Sequence, residues 1–280
     1  MEVLHKTSAL RTELSKVKRP LGFVPTMGAL HAGHMTLIHR ARSENDFLVV
    51  SIFVNPTQFS PREDYLTYPR DMDGDILQLM DAGVDVVFVP AVYEVYPKEF
   101  DTYIEVGHIA ETLEGKSRPE HFRGVATVVC KLLSLVRPDK AYFGQKDAQQ
   151  CLVVKQVNAD LNLGANIVVV PTVRDHDGVA VSSRNAYLKN NERIAASVIY
   201  KALRLAVSLW EDGVSDAEEV RSKMRSIINQ EPLAEIDYLS IADAMTLAEL
   251  DQISGSALVS LAVGFGTVRL IDNITIGDQT

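Results

Sequence analysis

Residues 21–54, LGFVPTMGALHAGHMTLIHRARSENDFLVVSIFV, contain the pattern that decides the fold. Two short apolar runs, Leu21 to Val24 and Leu48 to Val54, have the composition of buried β-strands. Residues 33–45 lie between them and have the pattern of a helix. A strand, a helix and a second strand in this order predict a βαβ crossover, which is how neighbouring parallel strands are joined.

The same alternation continues to about residue 171. We predict further strands at Val86 to Val89, Lys140 to Phe143 and Ile167 to Val170, and further helices at 71–82, 124–136 and 147–160. Apolar strands that alternate with helices are typical of a parallel sheet with helices on both faces. We therefore predict a Rossmann-like, doubly wound α/β domain over residues 1–172.

The sequence changes character after Pro171, and we predict a smaller C-terminal α+β domain over residues 173–280. One long amphipathic helix is expected before Gly213, with these apolar side chains on one stripe: Ile194, Val198, Ala202, Leu205 and Leu209. Ser215 and Glu218 have the spacing of a capping box for the next helix. The segments 236–242 and 257–276 have the composition of β-strands.

Charge and composition argue against several classes of protein. The 280 residues include 28 Lys and Arg against 37 Asp and Glu, a formal net charge of −9. We expect no general nucleic-acid binding, because affinity for a phosphate backbone comes from clustered basic residues. The start lacks the apolar core of a signal peptide, and no apolar run approaches membrane-spanning length, so we expect a cytoplasmic protein without membrane contact. Cys130 and Cys151 form no CxxC pair and are expected to be inert core thiols.

The loop PTMGALHAGH, residues 25–34, is the first candidate for a ligand site. It follows a predicted strand, at the sheet edge where open α/β proteins bind their ligands. Gly28 and Gly33 allow close approach of the backbone, and His31 and His34 lie at the start of a predicted helix, which suits phosphate. Two other interpretations stay open: a metal bound by the two histidines, for which no third ligand is apparent, and a purely structural turn.

Three further polar segments also follow predicted strands. Residues 54–59 (VNPTQF) offer neutral amides, which suit a ligand with hydroxyls and a carboxylate. Residues 143–150 (FGQKDAQQ) offer the cation Lys146 and the amide Gln150, and residues 181–185 (VSSRN) offer two hydroxyls and a guanidinium. Each segment alone also fits an ordinary turn or a solvated surface. Their shared place at the ends of strands predicts a crevice lined with phosphate-binding groups.

Six motifs in order resemble the pantothenate synthetase family, over about residues 20–276: PTMGALHAGH, SIFVNPTQF, HFRGVATVV, FGQKDAQQ, VSSRNAYL and RLIDN. The His31-x-Gly-His34 motif resembles the HIGH-type signature of the nucleotidylyltransferase superfamily. Residues 181–184 resemble that superfamily's mobile KMSKS-type counterpart. The first motif alone would indicate only the superfamily, whereas the ordered set indicates the family.

The resemblance implies an ATP-dependent, AMP-forming ligase of pantothenate and coenzyme A biosynthesis. ATP and pantoate would give pantoyl-adenylate and pyrophosphate with Mg²⁺, and β-alanine would then attack the mixed anhydride to give pantothenate and AMP. The resemblance also implies a homodimer whose C-terminal domain acts as a lid.

The resemblance further implies a role for individual residues. The expected catalytic groups, which act on the phosphates, are His34, Lys146 and Arg184. The full set of expected ATP-binding residues is Met27, Gly28, His31, His34, Gly144, Lys146, Asp147, Val173, Val181, Ser182, Ser183 and Arg184. Pantoate would be bound by Asn55, Gln58 and Gln150. No protein ligand of Mg²⁺ is assigned, because Gly74 falls near the place where some members have an Asp, with Asp73 and Asp75 only as neighbours.

Four positions depart from the family's usual residues. Val181 and Thr57 replace a usual Met, Gln145 replaces Glu, and Ala148 replaces an aromatic residue. Val181 is expected to loosen the packing over the adenine. Two other functions stay open: a nucleotidyltransferase that acts on a phosphorylated acceptor, and a nucleotide-binding module without turnover. The first would need a further basic site for the acceptor phosphate, whereas Gln58 and Gln150 favour a neutral hydroxylated acid.

Overall fold

A computed structural model describes residues 1–60 and 64–277 of the chain. The chain divides into two compact units, Met1–Gln145 with Gln149–Pro171, and Lys146–Ala148 with Thr172–Thr280. The segment Lys146–Ala148 lies inside the predicted domain 1–172 but packs with the second unit.

The described residues of the first unit form a six-stranded parallel sheet in the order β1-β4-β3-β2-β5-β6. The strands are β1 Glu2–Leu4, β2 Leu21–Thr26, β3 Phe47–Ile52, β4 Val86–Phe88, β5 Lys140–Gly144 and β6 Asn166–Val170. The predicted doubly wound fold is confirmed. The strand order reverses between β2 and β5, so the loops that follow these two strands start at the switch point where such sheets bind ligands.

Helices connect these strands, and the longer ones agree with the sequence. They are α1 Thr7–Leu14, α2 Ala32–Glu44, α3 Met72–Asp81, α4 Val92–Val95, α5 Glu114–Ser117, α6 His121–Val136 and α7 Ala148–Asp160. Helix α6 begins three residues before the predicted start at 124. Its apolar face, with Phe122, Val125, Val129 and Leu133, is buried in one core of the unit together with Phe23 of the sheet. Burial of such side chains stabilises the unit by about 1.5–3 kcal/mol each.

The second unit contains helices packed on an antiparallel sheet, which confirms the predicted α+β class. The helices are α8 Asn190–Ala195, α9 Ser197–Glu211 and α10 Ala217–Ile228. The strands are β7 Ala234–Asp243, β8 Ala257–Phe265 and β9 Val268–Ile276, in the order β7-β8-β9. Alternate residues of β8 and the apolar faces of α9 and α10 form its core.

Two local predictions in this unit are wrong. The expected single helix is interrupted at Ala196, and Ile194 lies on α8 with 73% of its surface exposed. The buried face of α9 is formed instead by Val198, Ile199, Ala202, Leu203 and Ala206. Helix α10 is capped by Asp216, whose side chain accepts a hydrogen bond from the Glu219 N–H at 2.8 Å. Asp216 is the cap in place of Ser215 because a carboxylate is the stronger acceptor for the N–H groups of the first turn. The Ser215 hydroxyl instead donates to the Gln252 side chain.

Two findings concern the membrane and the thiols. Within residues 1–60 and 64–277, no helix has both the length and the apolar character needed to cross a bilayer. Cys130 and Cys151 are not joined in a disulfide; Cys151 is buried, as expected of a core thiol, whereas Cys130 is only half-buried.

Candidate active site

The loop after β2 has a backbone that few residues tolerate. Gly28 and Ala29 have φ angles of 81° and 50°, both in the left-handed region. A Cβ atom on Gly28 would lie 2.9 Å from Asp75 Oδ2 and 3.0 Å from Ile52 Cγ2. Both the dihedral angle and the available space therefore require glycine at position 28.

Asp75 holds this loop in place. Its side chain is buried, with 2% of the residue exposed, and it accepts hydrogen bonds from the Ala29 N–H at 2.8 Å and the Leu30 N–H at 2.7 Å. Burial raises the pKa of Asp75, and the two backbone donors act in the opposite direction. The sequence identified Asp75 only as a neighbour of Gly74, since nothing in the pattern of α3 connects it with a loop 45 residues away.

The two histidines of the loop lie together at the start of α2. His31 is the N-cap residue, its side chain makes no capping hydrogen bond, and its ring stacks on that of His34 with centroids 4.0 Å apart. The first N–H groups of a helix lack partners within the helix and attract anions. Across the part of the chain that the structure describes, no three His, Cys, Asp or Glu side chains are grouped to hold a metal. The loop therefore combines two imidazoles and a helix N-terminus, a combination suited to phosphate.

Asn55 lies inside the protein, with 1% of its surface exposed. Its Oδ1 accepts hydrogen bonds from Thr57 Oγ1 at 2.9 Å and from the Tyr96 hydroxyl at 2.8 Å. Its Nδ2 donates to Gln58 Oε1 at 3.0 Å and to the Gly124 carbonyl at 3.2 Å. Burial raises the pKa of Tyr96 to about 12. Asn55 therefore orients the side chain of Gln58.

The structure brings Gln58 next to Met27, and the sequence had assigned both to the site. Gln58 Nε2 lies 3.2 Å from Met27 Sδ. The backbone carbonyl of Gln58 accepts hydrogen bonds from His121 Nδ1 at 2.8 Å and Arg118 Nη2 at 3.4 Å. His121 and Arg118 were missed by the sequence analysis, although His121 opens the HFRGVATVV motif. That motif also contains Gly124, where a Cβ would overlap the Thr57 carbonyl.

Two adjacent glutamines of α7 have different environments. Gln149 is buried, accepts a hydrogen bond from the Glu114 N–H at 3.0 Å, and donates to the carbonyls of Ile109 and Thr112 at 2.8 and 2.7 Å. Gln150 is half-buried. Strand β5 ends shortly before, at Gly144, where a Cβ would meet no other atom within 4 Å. Gln149 is thus a structural residue, and Gln150 is the one accessible to a ligand.

The second unit positions the VSSRN segment. The Val181 N–H donates to the Val173 carbonyl at 2.9 Å, so these two predicted nucleotide-binding residues are neighbours. The Ser182 hydroxyl caps a 3₁₀ turn, Ser183–Tyr187, by accepting a hydrogen bond from the Arg184 N–H at 3.3 Å.

Lys146 also belongs to the second unit. Its Nζ lies 3.7 Å from Asp147 Oδ1, and it lines a small cavity with Ser182 and Asp272. Lys146, Asp147 and Ser182 had all been assigned to ATP binding. The presence of Asp272 beside them was not predicted.

The doubly wound sheet, with the His-x-Gly-His loop at its switch point, defines an α/β protein of the class that binds its ligands at the carboxyl ends of parallel strands. The chain belongs to the pantoate-beta-alanine ligase family, whose model matches residues 2–275.

Individual relatives are similar to this chain over nearly the whole length of both proteins. The pantothenate synthetase of Chloroflexus aurantiacus is 55% identical over 274 residues, which is 98% of this chain and 97% of that protein. The crystal structure of pantothenate synthetase from Thermus thermophilus has a TM-score of 0.94 at 44% identity, covering 98% of this chain and 99% of that one. The pantoate-beta-alanine ligase of Francisella tularensis, solved with beta-gamma ATP and beta-alanine, has a TM-score of 0.81 at 38% identity, with 98% and 97% covered. The predicted family is confirmed, and the chain is a ligase.

Proposed function

We propose that this chain condenses pantoate with β-alanine to pantothenate through a pantoyl-adenylate formed from ATP. Family membership supports the overall reaction. The observation that supports the adenylate step is the pair of stacked histidines at the N-terminus of α2. The sequence has no GxxxxGK[ST] loop of the kind that binds the phosphates in γ-phosphoryl transfer.

In the first step, a carboxylate oxygen of pantoate attacks the α-phosphorus of ATP, and the bond from that phosphorus to the bridging oxygen breaks. Pyrophosphate leaves with the electron pair, so negative charge accumulates on phosphate oxygens. We assign the stabilisation of this charge to His31, His34, Lys146 and Arg184. One well-placed donor of this kind is worth about 10²–10³ in rate, or about 2.7–4 kcal/mol.

In the second step, the β-alanine amine attacks the carbonyl carbon of the mixed anhydride. The carbonyl carbon–oxygen bond breaks, AMP leaves with one oxygen of the original carboxylate, and the amine nitrogen loses a proton. Neither step requires a nucleophilic side chain, because both nucleophiles belong to substrates. The protein contributes position and a complementary electrostatic environment.

The remaining nucleotide contacts are proposed from the motifs and from local geometry. Val173 and Val181 are hydrogen-bonded neighbours. Gly28 has a positive φ angle, which favours glycine, and no side chain covers its backbone. The residues proposed to line the nucleotide, besides the four phosphate-binding groups, are Met27, Gly28, Gly144, Asp147, Val173, Val181, Ser182 and Ser183.

We assign pantoate to the two accessible amides, Gln58 and Gln150. The side chain of Gln58 accepts a hydrogen bond from Asn55 Nδ2, so Asn55 contributes to pantoate binding through Gln58. Neutral amides supply both donors and acceptors, which matches a ligand with hydroxyls and one carboxylate.

We propose Mg²⁺ as the divalent ion that accompanies ATP. Both oxygens of Asp75 accept backbone hydrogen bonds, and Asp71 caps α3 by accepting from the Gly74 N–H at 3.1 Å. These carboxylates are therefore committed to the fold. Phosphate oxygens and water would supply the ligands of the ion, as is usual for Mg²⁺ bound with a nucleotide. The ion would neutralise phosphate charge.

We further propose that the chain works as a cytoplasmic homodimer. The resemblance to the family is the support for both statements. Sedimentation equilibrium of the purified chain would test the dimer, with twice the mass of 30.9 kDa as the expected result. The lid role of the second unit stays a prediction.

The reaction is tested by exchange of labelled pyrophosphate into ATP without β-alanine. Formation of an enzyme-bound pantoyl-adenylate is reversible, so exchange should require pantoate and a divalent ion. Exchange that needs a phosphorylated acceptor in place of pantoate would support the nucleotidyltransferase alternative. Absence of exchange with pantoate, in a preparation that forms pantothenate, would refute a freely reversible adenylate.

The glutamine assignment predicts different effects for two neighbouring substitutions. Gln150→Ala should raise the KM for pantoate by about 5–150-fold, because a lost hydrogen bond to a buried ligand costs about 1–3 kcal/mol. The KM for ATP should stay unchanged. Gln149→Ala is the matched control: it should lower the melting temperature, because Gln149 bonds three backbone groups, and leave the KM for pantoate unchanged. A change confined to the KM for ATP in Gln150→Ala would show that this amide is misassigned.

A further inference from the structure

The RLIDN motif, residues 269–273, has no role in the mechanism above, yet it contains a buried ion pair. Asp272 has 2% of its surface exposed and binds Arg174 through two parallel hydrogen bonds, Nη1 to Oδ2 at 2.5 Å and Nη2 to Oδ1 at 3.0 Å. The Arg174 guanidinium also lies over the Tyr200 ring at 4.4 Å. Burial raises the pKa of Asp272, and Arg174 acts in the opposite direction. Such a planar, doubly bonded pair has a fixed geometry.

This pair fixes the residue that follows it. The Asn273 N–H donates to Asp272 Oδ1 at 2.8 Å, and Arg174 Nη2 donates to the Asn273 carbonyl at 3.3 Å. Asn273 has 4% of its surface exposed. Both backbone polar groups of Asn273 therefore contact the ion pair, and its side chain has little freedom to move.

The Asn273 side chain in turn holds Lys146. Its Nδ2 donates to the Lys146 carbonyl at 2.9 Å, across 127 positions of sequence. Lys146 and Asp272 line the same small cavity with Ser182, so a carboxylate and an ammonium of opposite charge face the same space. A lysine side chain has about 2 kcal/mol of rotamer entropy to lose when its ammonium is fixed. An anchored backbone and a nearby carboxylate both restrict where that ammonium lies.

We propose that Asn273, fixed by the buried Asp272–Arg174 pair, is a positioning residue that sets the location of Lys146 for the adenylation step. The proposal rests on the proposed phosphate role of Lys146. A purely structural role would make Asn273 one of many residues that hold the second unit together. The positioning role instead requires that the effect of Asn273 on catalysis pass through the Lys146 side chain.

A double-mutant cycle distinguishes the two roles. Asn273→Ala, Lys146→Ala and the double variant are compared in pantoate-dependent pyrophosphate exchange, with the melting temperature of each. Asn273→Ala should lower the kcat of exchange by about 10–10²-fold, the effect of a small misplacement of a reacting group, with the KM for pantoate unchanged. In the Lys146→Ala background, the same substitution should cause no further loss.

The matched control is Asn158→Ala. Asn158 also donates from Nδ2 to a backbone carbonyl, that of Ala165 at 2.9 Å, and accepts from the Ala165 N–H at 3.2 Å, but in the first unit and outside the assigned site. The melting temperature of Asn158→Ala should fall by about as much as that of Asn273→Ala, and its exchange rate should equal that of the wild type. If Asn273→Ala does not fold, Arg174→Lys serves as a second variant, because it keeps the charge but loses the planar fork. It should show the same dependence on Lys146.

Each outcome has one meaning. Wild-type exchange in Asn273→Ala would overturn the positioning role, and so would an equal fold-reduction of exchange in the wild-type and Lys146→Ala backgrounds. In either case, a strong loss of exchange in Lys146→Ala alone would still support the proposed function. Near-normal exchange in Lys146→Ala itself would overturn the phosphate role of Lys146 and the positioning role with it.

Discussion

Lys146→Ala is expected to lower pantoate-dependent pyrophosphate exchange by about 10²–10³-fold. The cation is assigned to phosphate oxygens whose charge rises as pyrophosphate departs. It is half-buried beside Ser182, so solvent screens its field less than that of an exposed lysine. The loss should appear in kcat, because the interaction is strongest in the transition state.

Lys155→Ala controls for the removal of one positive charge from the same part of the sequence. Lys155 lies on α7 and is exposed. The exchange rate of this variant should equal that of the wild type, and both variants should keep the wild-type melting temperature within a few degrees. Near-normal exchange in Lys146→Ala would remove Lys146 from the catalytic groups.

His34→Ala should produce a loss of similar size, also about 10²–10³-fold. The ring of His34 stacks on His31 at the first turn of α2, so its removal takes away one proposed donor to phosphate and the packing partner of the other. The measurement is again pyrophosphate exchange, now at saturating and at low ATP, because a lost ground-state contact would change the KM for ATP and a lost transition-state contact would change kcat.

The same helix offers a control for His34. His39 lies further along α2 and is exposed, so His39→Ala should leave exchange intact. A His34→Ala enzyme with wild-type kcat and wild-type KM for ATP would leave the His-x-Gly-His loop as a structural turn, which is one of the alternatives that the sequence left open.

The sheet was predictable from the sequence because its central strands are continuous apolar runs with polar loops between them. Strands β2 and β3 and helix α2 begin and end within about two residues of their predicted bounds. Strand β1 was missed, since three residues, Glu2–Leu4, are too few to show a pattern. The break between α8 and α9 was missed because Ile194 continues the spacing of apolar residues although its side chain faces solvent.

The site was predictable only in part, for a related physical reason. Motif residues such as His31, His34 and Lys146 can be identified from the sequence because their side-chain types indicate phosphate binding. The residues that position them cannot be identified in this way, because in a sequence a buried Asp or Asn is the same as one on the surface until its hydrogen-bond partners are known. Asp75 and Asn273 are of this kind, and their hydrogen-bond partners lie 45 and 127 positions away in the sequence.

The most direct test of the central claim follows the oxygen atoms of pantoate. If its carboxylate attacks the α-phosphorus and β-alanine then breaks the carbonyl carbon–oxygen bond, one carboxylate oxygen remains on AMP. Pantoate labelled with ¹⁸O in the carboxylate should therefore give labelled AMP, measured by mass spectrometry, and unlabelled pyrophosphate. Activation by γ-phosphoryl transfer would instead release ADP and place the label in inorganic phosphate. That second result would contradict both the adenylate and the roles assigned here to the phosphate-binding residues.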